Sequence, residues 1–70
     1  MSLPKLFFIG VGNMGHPMAA RLVRAGYDVQ VHDLDRAKAD NLLALGARWA
    51  GSIAEGAAQA DIVIASLPGP

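Results

Sequence analysis

Four consecutive apolar residues, Leu6-Phe7-Phe8-Ile9, run straight into a glycine-rich stretch, Gly10-Val11-Gly12-Asn13-Met14-Gly15. A short, unbroken apolar run reads as a strand buried on both faces, because successive side chains point to opposite sides of a sheet. Such a strand has to lie inside a sheet with other layers above and below it. After the glycines the period changes. Met14, Met18, Leu22 and Ala25 recur at intervals of three and four, the spacing of a helix face. This predicts a helix from about Asn13 to Ala25, with Pro17 tolerated in its first turn and Gly26 as its stop. Met18 is expected in the core on this pattern.

The same punctuation continues along the chain. Asp28 to Asp33 alternates, with Val29 and Val31 on one side and Gln30 and His32 on the other, and predicts a second strand. Asp35 can cap a second helix over 36–45, closed by Gly46. Residues 47–50 form a short third strand. Ser52-Ile53-Ala54-Glu55 has the pattern of a capping box, and a third helix follows to about Ala60, weakened by Gly56. Asp61 to Ser66 is a fourth strand. Alternating strands and helices require crossover connections, hence a parallel sheet with right-handed turns of the chain. The expected fold class is α/β: a Rossmann-type doubly wound parallel sheet, in its N-terminal βαβαβαβ portion. The first strand is central, between the second and the fourth.

Composition sharpens this. Hydrophobic residues make up 53% of the 70 and charged residues 17%, which excludes a disordered chain. Six basic residues balance six acidic ones, so the electrostatic footprint of a nucleic-acid or anionic-membrane binder is missing. No apolar run is long enough to span a bilayer. With no cysteine, a disulfide scaffold and a Cys-ligated zinc are excluded, and a cytoplasmic or organelle-matrix setting is expected. A chain near this length buries only about 60% of its unfolded surface. The fourth strand, moreover, has the makeup of a strand paired on both edges and carries no Lys or Pro to deter pairing. We therefore expect residues 1–70 to be a truncated, N-terminal part of a larger domain.

Gly10-x-Gly12-x-x-Gly15, between a buried strand and a helix, has the spacing of a dinucleotide-binding turn. Gly10 permits the tight turn, Gly12 lets the backbone approach a pyrophosphate, and Gly15 lets helix and strand pack closely. The pyrophosphate would sit at the helix N-terminus. On their own the glycines could equally serve packing. The context adds Asp33, with Leu34 beside it, at the end of the second strand. A carboxylate there accepts from the ribose hydroxyls of NAD and repels the 2′-phosphate of NADP, although it could also simply cap the next turn. Arg36 admits two readings, a partner for a 2′-phosphate or a first-turn surface residue. The balance favours NAD over NADP.

Phe8-Ile9-Gly10-Val11-Gly12-Asn13-Met14-Gly15-His16-Pro17-Met18-Ala19 closely resembles the N-terminal signature of the β-hydroxyacid dehydrogenases. The likeness continues through Arg24-Ala25-Gly26-Tyr27, Gly46-Ala47, Ser52 to Ala60, and Ala60 to Ile64 leading to Leu67-Pro68. It implies an NAD(P)-dependent oxidoreductase acting on a small β-hydroxyacid, such as 3-hydroxyisobutyrate, and its aldehyde or keto acid. It implies a following helical domain that carries catalysis and oligomer contacts, and a homo-oligomer at full length. It assigns Val11, Asn13 and Met14 to the pyrophosphate turn and Leu67 and Pro68 to the nicotinamide side. No catalytic residue is expected within these residues, so the 70 residues alone are expected to be inactive. An NADP-dependent imine-reductase-like relative and a non-catalytic dinucleotide module remain as alternatives. His16 admits contact with phosphate or substrate, and Trp49 a place as an adenine-side wall, but His16 reads first as a helix-start residue, His32 as a polar strand residue and Trp49 as a half-buried packing residue. Arg48 reads as a surface charge.

Overall fold

A computed structural model describes residues 3–10 and 15–65, with the backbone alone at 15–16. Its elements are β1 (Lys5–Ile9), α1 (Gly15–Arg24), β2 (Asp28–His32), a 3-10 turn (Arg36–Ala39), α2 (Asp40–Leu45), β3 (Arg48–Trp49), α3 (Ile53–Gln59) and β4 (Ile62–Ala65). All strand pairs are parallel, in the order β3-β2-β1-β4. The first strand is therefore central, as the alternation of elements requires.

Register sorts the side chains onto two faces. Leu6 pairs with Val29 and Ile62, and Phe8 with Val31 and Ile64, so these six share one face. Ala19 and Ala20 of α1, Ala39 of the 3-10 turn, Leu42 of α2 and Ala47 pack there with Leu6, Phe8, Val29 and Val31. The opposite face carries Phe7, in register with Gln30 and Val63, under α3. Phe7 and Phe8 are both fully buried, one in each layer. Gln30 lies on the side its alternation predicts, but α3 covers it: it is buried, and its Nε2 donates to Oε1 of Gln59 at 3.2 Å.

The helices depart from the sequence pattern in two places. Met18 is 51% exposed rather than in the core. The alanines Ala19 and Ala20 take the sheet-facing side, with Leu22 and Val23 partly buried beside them. Small side chains bring α1 close to the sheet, and the longer Met18 is left outside. The helix expected over 36–45 is divided. Asp35 accepts from the Ala37 N–H through its side chain and from the Lys38 N–H through its carbonyl, both at 3.1 Å. The three-residue spacing of that second bond winds the first turn as a 3-10 turn, and α2 starts at Asp40. Helix α1 ends with two reversed bonds, Gly26 N–H to Val23 O and Tyr27 N–H to Leu22 O, both 3.1 Å. Gly46 and Ala47 close α2 in the same way.

Strand β3 has two residues, shorter than 47–50. The Ala50 N–H reaches Val31 O at 2.9 Å just beyond it. At its other end the Arg48 guanidinium forks onto Asp28, Nε to Oδ1 at 3.1 Å and Nη2 to Oδ2 at 2.9 Å. Arg48 is a surface charge, as expected, but a paired one; exposed pairs of this kind contribute about 0.2–1 kcal/mol. Helix α3 starts as its capping pattern predicts, with Ser52 Oγ accepting from the Glu55 N–H at 3.1 Å. Strand β4 is the outer strand among the described residues, and its Ile62 and Val63 are 47% and 46% exposed.

Gly56 is more than a weak point in α3. A Cβ placed on it would overlap the ring of Phe7, so a hydrogen here is what lets α3 lie on β1. Gly56→Ala improves helix propensity by about 1 kcal/mol, while overpacking typically costs about 1–3 kcal/mol. With Phe7 enclosed, the second effect should win and the melting temperature should fall. A rise in thermal unfolding temperature would show that the ring swings aside.

Candidate functional site

Ligands of open parallel sheets bind beyond the carboxyl ends of the strands. At that edge the chain leaves β1 at Gly10, whose φ is +82° and whose N–H donates to His32 O at 2.8 Å. A side chain is rarely tolerated at this φ. The bond ties the exit from β1 to the end of β2, one residue before Asp33. Helix α1 then begins at Gly15, and the first N–H groups of a helix have no partner within it. These are the elements of an anion cradle with a carboxylate at its side.

Gly10 is thus tied to the end of the strand that leads into Asp33. Val11, Gly12, Asn13, Met14, Leu67 and Pro68 lie outside the described residues, as do the side-chain surroundings of Gly15 and His16. Asp33 is half-buried, and its Oδ1 accepts from the Asp35 N–H at 3.0 Å. The carboxylate does cap the following turn. A carboxylate has about four acceptor positions, so one cap bond does not exhaust it. Leu34, next to it, is fully exposed.

A cluster that residue-by-residue reading missed flanks this edge. His32 Nδ1 lies 2.9 Å from Ala50 O, and its ring sits 5.2 Å from that of Trp49, tilted by 35°. The Arg36 guanidinium lies over the other ring of the pair, its Cζ 5.4 Å from the Trp49 centroid. Trp49 is half-buried, as expected. His32 is no merely polar strand residue; it joins β2 to the chain beyond β3. The signal was in the register, which sets Val31 beside Trp49 and so His32 next to it. Among the described residues no group of His, Cys, Asp or Glu could hold a metal ion, and no helix is long and apolar enough to cross a membrane.

A positive-φ glycine at the exit of a central parallel strand, tied to the end of a neighbouring strand that leads into a carboxylate, is the arrangement of a dinucleotide-binding domain. The chain belongs to the family described as the NAD binding domain of 6-phosphogluconate dehydrogenase, whose sequence model matches residues 5–70. Within it, the chain is an N-terminal NAD-binding segment of the β-hydroxyacid dehydrogenase type. It is 44% identical over 66 residues to NAD-dependent L-serine dehydrogenase of Pseudomonas aeruginosa, covering 94% of this chain and 22% of that protein. It is 44% identical over 61 residues to 3-hydroxyisobutyrate dehydrogenase of the same organism, covering 87% of this chain and 20% of the relative. The chain therefore spans close to a fifth of the length of these relatives. In three dimensions it is similar to an imine reductase from Myxococcus stipitatus in complex with NADP+, with a TM-score of 0.88 and 30% identity over 91% of this chain and 22% of that one.

Gly10→Ala places a side chain at positive φ, a strain of about 1–2 kcal/mol. Chemical denaturation should show that loss, and calorimetry should show weaker dinucleotide binding. Unchanged stability and affinity would mean that the turn rearranges freely.

Proposed function

We propose that this chain is the cofactor-binding front of an NAD-dependent oxidoreductase that interconverts a small β-hydroxyacid and its aldehyde or keto acid. The observation that carries the reading is the juxtaposition of the Gly10 turn with Asp33 through the Gly10–His32 bond. The turn and the α1 N-terminus offer backbone N–H groups to a pyrophosphate. Asp33 accepts from the adenosine ribose hydroxyls, and exposed Leu34 supplies apolar contact beside it. By the family resemblance we assign Val11, Gly12, Asn13, Met14 and Gly15 to the phosphate-binding turn and Leu67 and Pro68 to the nicotinamide side. Bound NAD supplies the hydride acceptor.

Substrate recognition and catalysis belong, on this reading, to a helical domain that follows in the complete protein and also forms a homo-oligomer. The absence of cysteine supports a cytoplasmic or organelle-matrix setting. The likeness to an imine reductase bound to NADP+ favours a second reading, an NADP-dependent relative. Asp33 counts against it, because its charge repels a 2′-phosphate.

Two measurements test the proposal. Asp33→Ala should weaken NADH binding by about 1–3 kcal/mol, the cost of unmatched buried hydroxyls. Calorimetry that finds no change would reduce the carboxylate to a cap; tighter NADPH than NADH binding by the unaltered protein would favour the second reading. A polypeptide of residues 1–70 should not oxidise any β-hydroxyacid, and turnover by it in an NADH absorbance assay would contradict the assignment of catalysis to later residues.

A further inference from the structure

Arg36 raises a question that Asp33 leaves open. It lies in the connection from β2, three positions beyond Asp33, and the Asp35 N–H bond to Asp33 Oδ1 folds this turn over the carboxylate. A guanidinium in this connection is a ready partner for a 2′-phosphate, since it binds that group by paired, charge-assisted hydrogen bonds. In the structure the Arg36 guanidinium lies over the Trp49 ring of β3, and the His32 ring lies 5.2 Å from that same ring. His32 is in turn fastened to Ala50 O. The ring that receives Arg36 is therefore braced rather than loose.

We propose that Trp49 withholds Arg36 from the 2′-phosphate position, so that discrimination against NADP rests on the Arg36–Trp49 contact as well as on Asp33. The inference rests on the dinucleotide reading of the site. Trp49 acts here as a positioning residue, through Arg36. A cation over an aromatic face at an exposed site is a weak latch. Releasing it makes Arg36 available to the phosphate without altering the contacts that NAD and NADP share.

The test is calorimetric titration of the full chain with NADH and NADPH. Trp49→Leu should raise NADPH affinity relative to NADH by about two- to fivefold, the range of an exposed cation–π contact expressed as a ratio. Trp49→Phe keeps an aromatic face and should stay near the original ratio. Adding Arg36→Met to Trp49→Leu should erase the gain. Arg36→Met alone, at an exposed position where folding is not at stake, should leave the ratio unchanged. A ratio unmoved by Trp49→Leu would overturn the proposal. So would a loss of NADPH affinity in the single Arg36→Met variant, because Arg36 would then already serve the phosphate. If the unaltered protein bound neither dinucleotide, the underlying reading of the site would fail instead, an outcome distinct from both.

Discussion

Phe7 and Phe8 are adjacent in sequence, point to opposite faces of the sheet and are both fully buried. That pair fixes β1 as a strand enclosed on two sides. Phe8 needs the layer made by α1 and α2, and Phe7 needs the layer made by α3. Once β1 is enclosed in this way, β2 and β4 occupy its two edges, and the crossovers carry α1 and α2 to one face and α3 to the other. The exit from β1 then falls at the middle of the carboxyl edge. The site is a consequence of the central strand.

The function-bearing contact is equally local. A backbone bond of 2.8 Å from Gly10 to His32 O joins the end of the central strand to the end of its neighbour. It sets a positive-φ glycine beside the end of the strand that leads into Asp33. Backbone N–H groups and a helix N-terminus suit an anionic bridge; a carboxylate suits the hydroxyls beyond it.

Much of this was legible in the sequence because it depends on local rules. The apolar run 6–9, the glycines at 26 and 46, the Ser52–Glu55 cap and the alternation of β2 each have a period or a spacing of their own, and strand order follows from the crossovers. What was not legible depends on distant partners. Met18 fits the helical stripe, but Ala19 and Ala20 decide how close α1 lies to the sheet. Gly56 reads as a helix breaker until Phe7 is seen beneath it. The alternation sets Gln30 opposite Val29 and Val31 but does not show that α3 buries it, with Gln59 as its partner. The Arg36–Trp49–His32 stack draws on three separate elements, and nothing in the spacing of those residues announces it. The division of the second helix came from Asp35, whose side chain and carbonyl both turn to the next residues.

The most direct measurement is a crystal structure of the protein with NAD+ bound. The pyrophosphate should lie against the backbone between Gly10 and the first turn of α1, with the adenosine ribose hydroxyls on the carboxylate of Asp33. A ribose bound away from Asp33, or a pyrophosphate away from the start of α1, would contradict the site described.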